Sequence, residues 1–248
     1  MEPEEEAKTH AWHIAPREYA RHEKRRGRRH AFQHATPTRT ALIVIDMVPF
    51  FVSQNAYCRG IVPNIACLAD ALRAAGGSVA WVVPAPGHRH PALADEFFGP
   101  NIAKLYGLSG GAGPLKARLW PAFDVHANDL LVEKSAASAF FPGASPLPFL
   151  LEARRIDTVL ITGTVTNVCC ESSARDASTT GFRVIMVADA NAAPRDQDHN
   201  AALHTIYRSF GDVRPTAEVL DLLAASDPGC AGMTRGEQLG NQSEWTRR

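Results

Sequence analysis

No stretch of this chain approaches the ~20 consecutive apolar residues of a membrane-spanning helix, so no membrane partner is expected. Charge bias is missing too. The 26 Lys and Arg balance 26 Asp and Glu, and bulk electrostatics therefore points to no polyanionic partner. The five cysteines, Cys58, Cys67, Cys169, Cys170 and Cys230, are odd in number and contain no CxxC pair. Neither a disulfide framework nor a zinc knuckle is expected from them. The opening MEPEEEAKTH is acidic and polar, without the apolar core of a secretory signal. A reduced, cytoplasmic protein is the expectation. No internal repeat is visible.

What is present is ordinary for a globular chain: 45% hydrophobic and 21% charged residues in 248, enough for one α/β domain with appendages. Three regions differ. Residues 1–38 hold five of the ten histidines and the basic run Lys24-Arg25-Arg26-Gly27-Arg28-Arg29-His30. Within them, residues 16–26 read as a helix with Pro16 in its first turn. Nearby glutamates dilute the basic run, so an arm lying on the domain or a neighbouring subunit is favoured over a nucleic-acid contact. Residues 225–248 are polar and turn-rich and read as a flexible tail, with Cys230 incidental.

Between them, residues 39–224 alternate two patterns. Short runs rich in β-branched residues read as strands: Ala41–Ile45, Ser78–Val83, Leu130–Val132, Thr158–Ile161 and Arg183–Val187, with a last one near Asp212–Arg214. Helical stretches separate them at Val62–Ala75, Pro146–Arg155, Val168–Thr180 and Asp196–Phe210, with another from Thr216. Alternating strands and helices predict βαβ units and a parallel sheet. Near-continuous apolar strands fit a sheet covered on both faces. The segment Pro91–Trp120, with Gly110-Gly111-Ala112-Gly113, reads as a long connection, a lid or an oligomer contact.

In open parallel sheets ligands bind beyond the carboxyl ends of the strands. Asp46 follows the first strand, Glu133 and Lys134 follow the third, and Thr162-Gly163-Thr164-Val165-Thr166-Asn167-Val168-Cys169-Cys170 follows the fourth. An acid, an amine and a thiol are thus expected on one rim. Cys169 would sit at a helix start, capped by Thr166 or Asn167. The positive end of that helix and Lys134 would lower the thiol pKa below its usual 8.5 or so. Asp46 would act as general base and then acid. Each also has an inert reading: an unreactive cysteine, a turn aspartate and a surface lysine. Cys170, with Ala174 and Ala177, forms a small-residue stripe and reads as packing.

These residues also carry a resemblance. Ala41-Leu42-Ile43-Val44-Ile45-Asp46-Met47, Val132-Glu133-Lys134, and Leu160-Ile161-Thr162-Gly163 through Thr166-Asn167-Val168-Cys169 to Glu171-Ser172-Ser173-Ala174-Arg175-Asp176-Ala177 resemble the isochorismatase-like cysteine hydrolases over about residues 39–222. The resemblance implies a three-layer αβα sandwich around a six-stranded parallel sheet of Rossmann-like topology, with Asp46, Lys134 and Cys169 as catalytic triad. It implies a non-proline cis peptide between Thr164 and Val165, and an oxyanion hole made by the backbone N–H groups of Val165 and Cys169. It implies a homodimer or higher homo-oligomer and no cofactor.

Two departures narrow the reading. Many relatives place glutamine two residues after the aspartate, where this chain has Val48, although Phe51 matches an aromatic position. The aspartate of the nicotinamidase metal cluster is missing around His88 and His90, so solvated loop histidines and no metal are expected. The expected reaction is cleavage of a C–N bond (amide, ureido or lactam) in a small molecule through a thioester. Phe50, Phe51, Trp81, Pro84, Phe140 and Phe141 are the candidate pocket. The alternatives are a vinyl-ether hydrolase that uses Asp46 without the cysteine, and a non-catalytic scaffold on the same fold.

Overall fold

The computed structural model describes residues 6–225; the segment expected to be a flexible tail, with Cys230, lies outside them apart from its first residue. Six strands, β1 (Thr40–Ile45), β2 (Ser78–Pro84), β3 (Leu130–Lys134), β4 (Thr158–Thr164), β5 (Arg183–Ala192) and β6 (Asp212–Arg214), form one sheet in the order β3-β2-β1-β4-β5-β6. Every pairing is parallel. The chain runs outward from β1 through β2 to β3, then returns to β4 on the other side of β1. The switch point therefore lies between β1 and β4, where a crevice opens in folds of this kind.

Strand β1 is buried along its whole length, and its alternating side chains supply both faces. Leu42 and Val44 join a core with Ile61, Ile65, Leu68 and Leu72 of α3 (Ala56–Ala74) and Val219 and Leu223 of α9 (Thr216–Ala224). Ala41, Ile43 and Ile45 join the opposite core with Leu147 and Leu151 of α6 (Leu147–Ala153), Ala174 and Ala177 of α7 (Glu171–Thr179), and Leu203 and Ile206 of α8 (Asp196–Ser209). Two covered faces explain why the strands carry no polar alternation. Cys170 is fully buried in that second core beside the two alanines.

The strands begin where the sequence places them, to within a residue, but β3, β4 and β5 run on to Lys134, Thr164 and Ala192; several helices differ. α3 begins at Ala56, six residues before Val62, because the Asn55 side chain accepts the Tyr57 N–H and caps the helix there. Pro63 consequently lies inside the helix. A short helix, α2 (Pro49–Val52), turns the chain after Asp46. The segment 91–120 is folded rather than a bare connection: it contains α4 (Pro91–Phe98), α5 (Pro100–Gly107) and a 3-10 turn at Leu115–Arg118. Buried Arg118 anchors it, donating to the carbonyls of Gly110 and Pro84 and pairing with Glu133.

The arm helix α1 (Pro16–Arg26) occupies the predicted span and ends at Gly27, whose φ of 73° closes it in the left-handed region. Arg26 of its basic run turns onto the arm and the domain: it donates to the carbonyls of Arg28 and Arg29 and lies 3.7 Å from buried Asp212. The Asp212 carboxylate in turn accepts the N–H groups of Ala31 and Phe32.

Candidate active site

Asp46 leaves β1 with φ of 55°, a left-handed backbone that non-glycine residues adopt rarely and that clusters at functional sites. Its N–H donates to Val82 O at 2.9 Å, and its side chain is buried. Lys134, the last residue of β3, reaches back across the end of β2 and places Nζ 2.9 Å from Asp46 Oδ2. The same Nζ lies 3.4 Å from Cys169 Sγ and 3.2 Å from Ala136 O. Acid, amine and thiol thus meet over the switch point, two of them almost wholly buried and Cys169 partly exposed.

The loop that delivers Cys169 is shaped by close packing. Gly163 pairs with Ile45, and a Cβ there would come 2.1 Å from Ile45 O; only glycine lets β4 press this closely on the strand that carries Asp46. The Thr164–Val165 peptide bond is cis. Residues Thr166–Cys170 then make a π-turn before α7 begins at Glu171, a wide turn frequent at functional sites. Cys169 therefore belongs to this turn, not to the first turn of an α-helix. Neither Thr166 nor Asn167 caps it with a side-chain bond; the Thr166 hydroxyl lies 2.9 Å from His199 Nδ1 instead. The Val165 carbonyl accepts the N–H groups of Val168 and Cys170.

Electrostatics corrects one expectation. Burial, then the Asp46 carboxylate, push the Cys169 thiol up to about 12 against the pull of Lys134. Burial likewise raises Asp46 above the usual carboxylate range, opposed by Lys134. Burial alone would lower Lys134, but Asp46 and Cys169 outweigh it and hold the ammonium charged. The resting cluster is a protonated thiol beside a carboxylate–ammonium pair. The low thiol pKa expected from a helix terminus is absent, because no capped helix starts there and a buried anion lies alongside.

The expected pocket side chains divide. Phe50, Phe51 and Pro84 are half-buried and Phe141 is exposed; Phe50 meets Phe51 and, at 6.3 Å between centroids, Tyr106 of α5. Trp81 and Phe140 are core residues instead. Trp81 packs on Phe123, and its indole N–H donates to Asp129, which precedes β3 at the amino end of the sheet. Phe140 turns into the second core against Phe182. His88 places Nε2 2.6 Å from Ala103 O and ties its loop to α5, while His90 is exposed at the start of α4.

Residues without a local sequence signal complete the site. Buried Asn191 donates to the carbonyls of Ile161 and Val187, bridging the irregularity where β4 and β5 shift register beside the Cys169 loop. Ser173 accepts the N–H of Ala139 and joins the loop after Lys134 to α7.

Fold and cluster together define a three-layer α/β hydrolase of the kind that gathers an acid, an amine and a thiol at the switch point of a parallel sheet. The chain belongs to the isochorismatase family: the family's Isochorismatase domain matches residues 40–218. The ureidoacrylate amidohydrolase RutB of an Enterobacter species is 30% identical over 220 residues, spanning 79% of this chain and 93% of its own. The maleamate amidohydrolase of Pseudomonas putida is 31% identical over 176 residues, 70% of this chain and 81% of its own. Among solved structures, a cysteine hydrolase from Pseudomonas syringae pv. phaseolicola is 30% identical with a TM-score of 0.64, covering 78% of this chain and 96% of that one.

Proposed function

We propose that this protein hydrolyses a C–N bond of a small amide or ureido substrate through a thioester on Cys169. The observation that carries the reading is the single buried contact set in which Lys134 Nζ touches both Asp46 Oδ2 and Cys169 Sγ. The two amidohydrolase relatives support the bond type.

A protonated thiol next to a carboxylate of raised pKa is suited to coupled transfer. Asp46 takes the proton as sulfur bonds to the substrate carbonyl carbon, so no free thiolate accumulates. The oxyanion is received by the N–H groups of Val165, just before the turn, and Cys169, within it; the N–H groups of Val168 and Cys170 are bonded to Val165 O. Asp46 returns its proton to the nitrogen as the C–N bond breaks and the amine leaves. Water, deprotonated by Asp46, adds to the thioester, and Cys169 leaves as the thiol. Lys134 stays charged throughout and balances the anion on whichever partner holds it. Phe50, Phe51, Pro84 and Phe141 would border the substrate.

The test is hydrolysis of a panel of small amides and ureides, ureidoacrylate and maleamate included, by wild type and by Cys169→Ala and Asp46→Asn. Release of ammonia or amine by wild type, with a loss of about a thousandfold or more in both variants, is expected. Turnover that survives Cys169→Ala but not Asp46→Asn would replace the thioester by a cysteine-independent hydrolysis in which Asp46 activates the attacking water.

A further inference from the structure

The arm before residue 40 lies outside the matched family domain, yet it reaches the rim that carries the site. Lys8 N–H donates to Ala56 O at the start of α3, and the approach is so close that a Cβ on Gly60 would come 1.8 Å from Lys8 O. Two residues on, the His10 ring is held on all sides. It stacks on Tyr57 at 3.9 Å and 6°, and on its other neighbour His199 at 4.1 Å and 10°. Its Nδ1 lies 2.6 Å from Asp196 Oδ1, and its Nε2 accepts the Ala193 N–H at 3.0 Å. Those two partners define a neutral ring with its proton on Nδ1.

His199 is fully buried, and its remaining contact of note is the Thr166 hydroxyl in the Cys169 turn. Thr166 adjoins Val165 and stands three residues before Cys169. A chain of side chains therefore runs from Asp196 through His10 and His199 to the turn. On the other side of the same loop, the Cys58 thiol lies 3.2 Å from Thr164 Oγ1, which donates to Ala192 O. The loop is gripped from both flanks, and one grip belongs to the arm.

We propose that His10 is a positioning residue: clamped between Tyr57 and His199, it holds His199 against Thr166 and so sets where Val165 and Cys169 present their N–H groups and the thiol. The proposal rests on the reading of Cys169 as nucleophile, but the two fail separately. Loss of hydrolysis in Cys169→Ala tests the nucleophile; the thiol's accessibility in His10 variants tests the arm.

The probe is iodoacetamide at pH 8 on the full chain, with alkylation at Cys169 measured by peptide mass against exposed Cys67. In wild type Cys169 is only partly exposed and is held in place by its turn. In His10→Ala the turn loosens and Cys169 alkylates about tenfold faster, a change equivalent to about 1.4 kcal/mol. Ile14→Ala separates this from loss of arm docking, because Ile14 anchors the same arm in the second core; it lowers the melting temperature and leaves the Cys169 rate within about twofold. In a Thr166→Val background, which removes the hydroxyl, His10→Ala adds less than about twofold, since coupled residues do not act additively. Should His10→Ala fail to fold, Asp196→Asn at its half-exposed position serves instead, with an expected acceleration of about threefold. An unchanged Cys169 rate in the folded variant, an equal acceleration in Ile14→Ala, or full multiplication of the two effects in the double variant overturns the proposal.

Discussion

Replacing Asp46 by asparagine keeps the side chain's shape but removes the negative charge beside the thiol. In wild type that charge is the second cause, after burial, of a Cys169 pKa near 12. Two unit charges about 4 Å apart interact by about 4 kcal/mol at an effective dielectric of about 20, which is about three pKa units. Lys134, 3.4 Å from the sulfur, would then act unopposed, and the thiol should fall to about 9. At pH 8 the thiolate fraction rises roughly a thousandfold. A less basic thiolate is also a weaker nucleophile, by about thirtyfold for a three-unit drop, so the net acceleration of iodoacetamide alkylation is about thirtyfold. Cys67 on α3 provides the internal reference. The same exchange abolishes hydrolysis, so the variant is more reactive toward an alkylating agent and inert toward substrate. A Cys169 rate that stays level or falls in Asp46→Asn would refute the picture of a resting protonated thiol restrained by the carboxylate.

Lys134→Met leaves Asp46 buried without its partner at 2.9 Å and is expected to lose about 3–5 kcal/mol of stability at neutral pH. Because burial already raises Asp46, the unpartnered carboxyl protonates readily, and the deficit against wild type should shrink as pH falls; a pH-independent deficit in urea titrations counts against the pairing. His199, fully buried, and His30, half-buried, are held neutral, lowered by desolvation to about 3 and about 4. Their stabilisation is complete above the unfolded value near 6.5 and is lost as pH falls below it, at up to about 1.4 kcal/mol per unit for each histidine; a melting temperature that holds flat from pH 6.5 to 4.5 would contradict this. Leu93, Phe97 and Leu108 are exposed together on and beside α4 and α5, so the homo-oligomer is expected to use this face: wild type should elute as a dimer or larger in light-scattering chromatography and Phe97→Glu as a smaller species, and a monomeric wild type removes the expectation.

The sheet was legible because its strands are buried on both faces and therefore read as uninterrupted apolar runs such as Ala41–Ile45. The residues that close each strand were legible for the same reason, since they are the first polar side chains after such a run. The faces were not: Trp81 and Phe140 read as rim aromatics, whereas strand alternation sends Trp81 to the α3 core and the loop after Lys134 turns Phe140 inward. The start of α3 was missed because the Asn55 cap that sets it lies seven residues upstream of Val62. The state of Cys169 was misjudged because position in a sequence says nothing about burial or the 3.4 Å to Lys134. His10 and His199 carry no local signal at all, being neighbours only once the chain has closed on itself.

That closure bears on how the molecule is made. His10 meets Asp196 across 186 positions and Ala31 meets Asp212 across 181. The arm leaves the ribosome well before its docking partners. At about 5–20 residues per second, the arm waits roughly 10 to 40 s for somewhere to bind. If His10 sets the geometry of the Cys169 turn, a nascent chain stays inactive until α8 and β6 have emerged and the arm has docked on them.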